Sequence, residues 1–224
     1  MFDVDGTLFD TLPSLTGAAN QVLQARGLQP VAPAQLKGSL NEGLLSMFSA
    51  ALGLNVAQSR AEEVQVFQQE CMRVYCDEWL ARARLFAGAA DCLGQLREEG
   101  LILAICTNRD KASTQMLLKM ASLEQLIGVV VGMGDALRPK PAPDPLITVL
   151  DQLSIAPEQA LFVGDSSMDA ACAQSAGVRF AAHLRGYAVE PSDLLPQATR
   201  FADFTAFAQW VIESIQVSQE VPNA

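Results

Sequence analysis

Two stretches of the chain are near-continuously apolar over four to six residues and end abruptly in polar ones. They are Leu101–Cys106 before Thr107-Asn108, and Ala160–Val163 before Gly164-Asp165. Runs of this length suit strands of a parallel sheet buried on both faces. Val129–Val131 lies between them as a third, and Val178–Ala182 follows as a weaker fourth. Helical periodicity separates these strands over about 89–99, ending at Gly100, then 111–121, 144–153, and 167–176, ending at Gly177. Strands alternating with helices of this length predict a doubly wound α/β sheet, Rossmann-like in outline, with ligands beyond the carboxyl ends of the strands.

Residues 14–83 follow another pattern. Helical spacing dominates over about 14–26, 40–52 and 57–82, and no strand is expected between Val31-Ala32-Pro33 and Phe86. This predicts a helical cap domain over 14–83 inserted into a catalytic core made of 1–13 and 84–224, with Pro13 and Ala87-Gly88 at the hinges. The last residues, Val217 to Ala224, are expected to fray.

At 224 residues and half apolar, the chain can bury a substantial core. Its net charge of −10, with only four lysines, argues against a nucleic-acid or anionic membrane partner. An anionic ligand would instead need a few local cations, a metal ion or backbone N–H groups. Five cysteines without C-x-x-C spacing and a single histidine, His183, argue against zinc or a disulfide framework. With no secretory leader pattern and no apolar run of membrane-spanning length, the cytoplasm is the expected compartment.

The chemistry concentrates at the strand ends. Asp3 and Asp5, in Phe2-Asp3-Val4-Asp5-Gly6-Thr7-Leu8, are two apart, so extended backbone would aim both at one cavity. A second pair, Asp165 and Asp169, closes another strand, one helical turn apart. If the four converge, repulsion decides the matter: two unit charges ~4 Å apart repel by about 4 kcal/mol at an effective dielectric of 20, so a counter-cation is needed. Oxygen ligands alone select a hard ion such as Mg²⁺. Thr107-Asn108 offers a hydroxyl and free N–H groups, and Lys140 lies in the proline-stiffened Arg138–Pro145 segment. Taken singly, an Asp-Gly turn, a helix-capping Asp and a solvated loop lysine would each be the plainer reading.

Taken together, and in this order, these segments resemble the haloacid dehalogenase superfamily. Asp10-Thr11, the helical insert and Thr107-Asn108-Arg109 through Ala176-Gly177 are similar to its phosphoglycolate-phosphatase-like branch, and Gly38–Leu45 more loosely resembles that branch's cap. The resemblance implies a Mg²⁺-dependent phosphatase acting on a small phosphorylated metabolite, monomeric or dimeric. It implies that Asp3 is the nucleophile and Asp5 the acid and then base. Thr107, the Asn108 N–H and Lys140 would hold the phosphoryl group, and Asp3, the Asp5 carbonyl, Asp165 and Asp169 would form the metal site. A sugar-phosphate mutase of the β-phosphoglucomutase type, a pyrophosphatase, and an inactive binding relative share the core motifs. Asp5 argues against the dehalogenase and phosphonate-cleaving branches. His183 is expected to be a structural or edge residue and Trp79 a core residue, while Arg109 could equally meet substrate or serve a helix cap. Only Met1 and Phe2 precede Asp3, so the strand leading into it is expected to be very short or to begin upstream of Met1.

Overall fold

The structure is a computed structural model that describes residues 1–56, 60–187 and 198–220. Its centre is a parallel sheet. Strand β3 (Leu103–Asp110) pairs with β4 (Ile127–Met133), while β5 (Leu161–Gly164), β6 (Arg179–His183) and β7 (Thr199–Phe201) pair in that order. Between β3 and β5 runs the amino-terminal segment, with Phe2 bridging in parallel to Ile105 on one side and Val163 on the other. Its backbone joins both neighbours: Phe2 N–H donates to Ala104 O at 2.8 Å, Cys106 N–H to Phe2 O at 2.9 Å, and Asp3 N–H to Val163 O at 2.9 Å. Three residues thus close the sheet in the order β4, β3, residues 1–3, β5, β6, β7, and Asp3 emerges at its carboxyl edge.

The alternation along β3 explains the two-layer cover. Leu103 and Ile105 join one core with Phe2, Val163 and Ala181, whereas Ala104 and Cys106 join a second with Phe162 and Ala182. The first core is sealed by α5 (Ala89–Glu98), α6 (Lys111–Met120) and α9 (Phe204–Glu220), through Leu93, Leu117, Leu118, Phe204 and Phe207. The second is sealed by α7 (Asp144–Leu153) and α8 (Ser167–Ala176), through Leu146, Val149 and Ala173. This is the doubly wound arrangement expected from the strand–helix alternation. Strand β7 and helix α9 lie beyond the expected elements. Because α9 runs to Glu220, the frayed tail expected from Val217 is helical backbone through that residue, and 221–224 lie outside the described residues.

The first core continues into the helical segment, where Leu15, Ala19, Val22 and Leu23 of α1 (Leu12–Ala25) meet Leu36, Met47, Phe48 and Phe67. The helix expected over 40–52 is α3 (Leu44–Gly53), and a helix not among those expected, α2 (Pro33–Asn41), precedes it. Pro33 starts α2, and Gly43, at φ 120°, turns the chain between the two. The segment expected to be helical over 57–82 is α4 (Ala61–Val74), a π-helical turn (Tyr75–Trp79) and a 3₁₀ turn (Leu80–Arg82). Where the chain enters and leaves this region, β1 (Phe9–Asp10) pairs antiparallel with β2 (Arg84–Leu85). That ladder corrects the expectation of no strand before Phe86. Two residues are too few for alternation to register in a sequence.

Candidate active site

The sheet's carboxyl edge gathers three acidic side chains. Asp3, Asp165 and Asp169 are buried and offer carboxylate oxygens all within 4.8 Å of one another. Asp3 leaves the central segment, Asp165 follows β5, and Asp169 stands in the first turn of α8. There Ser166 caps the helix: its Oγ accepts from Asp169 N–H at 3.3 Å. In return Asp169 Oδ2 accepts from the N–H groups of Asp165 (3.2 Å) and Ser166 (3.1 Å) and from Ser166 Oγ (2.6 Å).

Lys140 reaches into this group from the loop after β4. Its Nζ donates to Asp3 Oδ1 at 2.8 Å, Asp169 Oδ1 at 2.5 Å and Cys106 O at 3.3 Å. Asp165 is held from two sides, Thr7 Oγ1 donating to Oδ1 at 2.8 Å and Tyr187 N–H to Oδ2. Glycines make the fit possible. A Cβ on Gly186 would lie 2.3 Å from Asp165 Cβ and 2.4 Å from Gly6 O, and one on Gly164 would lie 2.5 Å from Asp169 Cβ.

Burial pushes the Asp3 carboxyl up to about 7, against the pull of Lys140, and Asp169 adds to the rise. Asp165 is raised well above the ordinary carboxylate range by burial, then by Asp169 and Asp3. At Lys140 burial works downward, but the Asp169 and Asp3 carboxylates outweigh it and hold the ammonium well above its usual value. With all three acids ionised, one ammonium leaves two negative charges uncompensated. An oxygen-only site lacking two positive charges is what a hard divalent cation fits.

Asp5 lies just outside that cluster. Its Oδ1 accepts from Thr11 Oγ1 at 2.6 Å and from Arg109 Nη1 at 2.7 Å, so its carboxylate is turned from the acidic trio toward the cavity wall. Thr107, Asn108 and Arg109 lie where β3 loses register with β4. The Asn108 side chain is committed to the backbone of Lys140, and the Thr107 hydroxyl accepts from Arg109 N–H at 3.2 Å. Asp3, Asp5, Thr107, Asn108, Arg109 and Lys140 line a cavity of about 20 Å³ whose opposite wall is Leu40, Asn41, Gly43 and Leu44 of the helical segment.

Sequence reasoning missed Tyr187. Its hydroxyl accepts from the N–H groups of Thr11 (2.7 Å) and Leu12 (2.9 Å) and donates to Asp10 Oδ1 at 2.7 Å. A lone aromatic after a loop glycine carries no periodic signal. His183 lies behind the site, Nδ1 donating to Gly6 O at 3.0 Å, with its ring among Phe86, Phe201 and Phe204. Burial lowers its pKa, in keeping with the structural role expected of it.

The family model of haloacid dehalogenase-like hydrolases matches residues 1–183. The chain belongs to that family. Among its relatives, the phosphoglycolate phosphatase of Rhodospirillum rubrum is 36% identical over 215 residues, covering 94% of this chain and 89% of the relative. The N-acetylmuramic acid 6-phosphate phosphatase of Pseudomonas aeruginosa is 30% identical, covering 86% of this chain and 84% of that one. The crystal structure of a predicted phosphoglycolate phosphatase from Haemophilus somnus superposes with a TM-score of 0.87 at 25% identity, over 94% of this chain and 96% of the other. These likenesses place this haloacid dehalogenase-like hydrolase in the phosphoglycolate-phosphatase-like branch. Among the described residues no helix is long and apolar enough to cross a membrane.

Proposed function

We propose that the protein is a cytoplasmic, Mg²⁺-dependent phosphatase that hydrolyses a short phosphate monoester, of the phosphoglycolate type, through a phospho-aspartate on Asp3. The observation that carries this reading is the Asp3 carboxylate. It opens on the cavity while one oxygen is pinned by Lys140 at 2.8 Å and two further carboxylates stand beside it. Mg²⁺ held by Asp3, the Asp5 carbonyl and Asp165 would neutralise charge on the phosphoryl oxygens, with Asp169 orienting its ligands.

The chain's own groups account for the proton and bond changes. A carboxylate oxygen of Asp3 attacks phosphorus as the ester P–O bond breaks, and the leaving alkoxide takes a proton from Asp5. Asp5 then removes a proton from the water that attacks the aspartyl phosphate, releasing inorganic phosphate and restoring the Asp3 carboxylate. Thr107 Oγ1 and the Asn108 N–H hold the phosphoryl oxygens. Lys140 keeps Asp3 aimed, and Arg109 and Thr11 fix the Asp5 carboxyl within reach of the leaving oxygen. Positioning and charge stabilisation are most of what phosphoryl transfer requires.

The cavity of about 20 Å³ holds little more than a water molecule, so the helical segment over 14–83 acts as a cap that opens to admit substrate. Its two crossing segments, joined by the β1–β2 ladder, are the hinge. The test is release of inorganic phosphate from an aryl phosphate and from 2-phosphoglycolate, with Mg²⁺ and with chelator. Hydrolysis is expected only with Mg²⁺ and is abolished in Asp3→Asn. Full activity in that variant places the nucleophile elsewhere.

A further inference from the structure

Asp5 owes its place to Arg109, and Arg109 is itself held from three sides. Its Nη1 donates to Asp5 Oδ1 at 2.7 Å and its Nε to Ser113 Oγ at 3.0 Å. Both bonds lie in the guanidinium plane, so rotation about the line that joins them is left unset. The third hold is a ring. Tyr75 places its aromatic centroid 5.0 Å from the guanidinium carbon, and both side chains are buried. A cation over an aromatic face is attracted by the ring's quadrupole, most strongly where water is shut out. The two residues also meet at the phenol: burial pushes the Tyr75 hydroxyl up to about 12, and the Arg109 charge opposes that rise.

A local irregularity brings Tyr75 there. Helix α4 ends at Val74, and the chain passes into the π-helical turn Tyr75–Trp79, whose wider winding re-aims the side chain that begins it. Such turns are rare and often mark functional positions. Tyr75 comes from the 14–83 segment, whereas Asp5, Arg109 and Ser113 lie outside it. It is not among the described residues that line the cavity, so its effect on the reaction passes through Arg109. Both bonds that hold the Asp5 carboxyl, from Thr11 and from Arg109, fall on Oδ1 and leave Oδ2 for the proton.

We propose that Tyr75 is a positioning residue: stacked on Arg109, it fixes the guanidinium that holds Asp5, so the acid is in place only while the helical segment is seated on the core. The inference rests on the phosphatase reading, in which Asp5 serves the leaving oxygen, and adds the residue through which the proposed cap reaches that acid. Its consequence depends on the leaving group. An alkoxide needs the proton that Asp5 gives, whereas a nitrophenolate departs as the anion without one. Loss of the stacked ring therefore slows transfer of the phosphoryl group from an alkyl ester to Asp3 and spares transfer from an aryl ester.

The experiment measures Mg²⁺-dependent turnover of 2-phosphoglycolate and, by rapid mixing, first-turnover release of nitrophenolate from 4-nitrophenyl phosphate. Tyr75→Leu is expected to lower kcat on the alkyl ester about 10- to 100-fold, while first-turnover nitrophenolate release stays within about threefold of wild type. Tyr75→Phe keeps the ring and is expected to stay within about fivefold on both esters. In an Arg109→Gln background, Tyr75→Leu adds little, because the group it acts through is gone. Equal losses on the two esters would make Tyr75 a packing residue and overturn the proposal, as would unchanged kinetics or additive effects of the two substitutions. Should Tyr75→Leu fail to fold, Tyr75→Phe decides: alkyl-ester turnover within about fivefold of wild type supports the stacked ring, and a larger loss overturns it. Aryl-ester hydrolysis alone by the wild-type protein leaves the phosphatase reading standing and removes this role, since no acid then serves an alkoxide. No phosphate from either ester overturns both.

Discussion

The side-chain amide of Asn108 exchanges two hydrogen bonds with the backbone of Lys140, Nδ2 donating to the carbonyl at 3.0 Å and Oδ1 accepting from the N–H at 2.9 Å. This pairing ties the tip of β3 to the loop that carries the ammonium, so the position of Lys140 depends on a residue 32 positions earlier. Replacing Asn108 by Ala removes both bonds, each worth about 1 kcal/mol net. The expected result is a fall in kcat of about 10- to 100-fold with a smaller change in KM, because Lys140 drifts from Asp3 while the cavity keeps its shape. Steady-state kinetics beside a thermal melt separate this from unfolding. An unaltered kcat would show that the loop holds its place unaided.

Metal removal and pH are linked through the buried acids. Asp3, raised to about 7, and Asp165, also raised, bind more protons folded than unfolded between about pH 4 and pH 7. Stability of the metal-free protein therefore falls as pH rises through that window. His183 works in the opposite sense: its lowered folded pKa means stability is lost as pH falls below its unfolded value of 6.5. Taking the difference between melts with Mg²⁺ and with chelator at each pH cancels the His183 contribution. That difference in Tm is expected to be several degrees at pH 8 and much smaller at pH 5.5. Equal shifts at both values would mean that the ion binds away from these carboxylates.

How much of this was legible beforehand depended on periodicity. The strands ending at Cys106 and Val163 announce themselves because each is buried on both faces, and the polar residues beyond them fall at the only edge a parallel sheet leaves for a ligand. Thr107 and Asp165 are named by that logic, while Asp3, Lys140 and Asp169 gained their places from the family resemblance, and the structure brings the five together. Contacts that join distant segments through single residues stay silent. Tyr187 and the Asn108–Lys140 pairing are of that kind. The helix over Pro33–Asn41 went unread in the 14–83 segment because only Leu36 and Leu40 of its nine residues are buried, too few to register a helical period.

Gly186 tests how tightly the acidic cluster is packed. An added Cβ would lie 2.3 Å from Asp165 Cβ and 2.4 Å from both Asp165 Oδ2 and Gly6 O, and the last is backbone that cannot swing aside. Gly186→Ala is expected to destabilise the fold by about 1–3 kcal/mol and to cut Mg²⁺-dependent turnover at least 100-fold by displacing Asp165. Gly94→Ala is the matched control. Gly94 lies within α5 with nothing within 4 Å of its added Cβ, so that variant should gain about 0.5–1 kcal/mol at unchanged turnover. Equal behaviour of the two in urea titrations and phosphate-release assays would contradict the close approach at Gly186.

Helix α1 poses the last test, because its natural cap is occupied elsewhere. Thr11 stands at the N-cap, yet its hydroxyl donates to Asp5 Oδ1 at 2.6 Å and makes no cap bond of its own. The first turn's donors go instead to the Tyr187 hydroxyl, which accepts from Thr11 N–H at 2.7 Å and Leu12 N–H at 2.9 Å. A residue distant in sequence thus caps the helix that enters the proposed cap, and the same residue's backbone N–H holds Asp165. Tyr187→Phe keeps the ring and the backbone bond but strands two N–H groups and the Asp10 carboxylate's donor. Each stranded buried donor costs about 1–3 kcal/mol, so a loss of about 2–4 kcal/mol is expected in urea unfolding. Magnesium affinity should change little, since the Asp165 contact is through backbone. A rise in KM is expected as the entry to the helical segment loosens. An unchanged unfolding midpoint would mean that water reaches the first turn of α1 and that Tyr187 is not its cap.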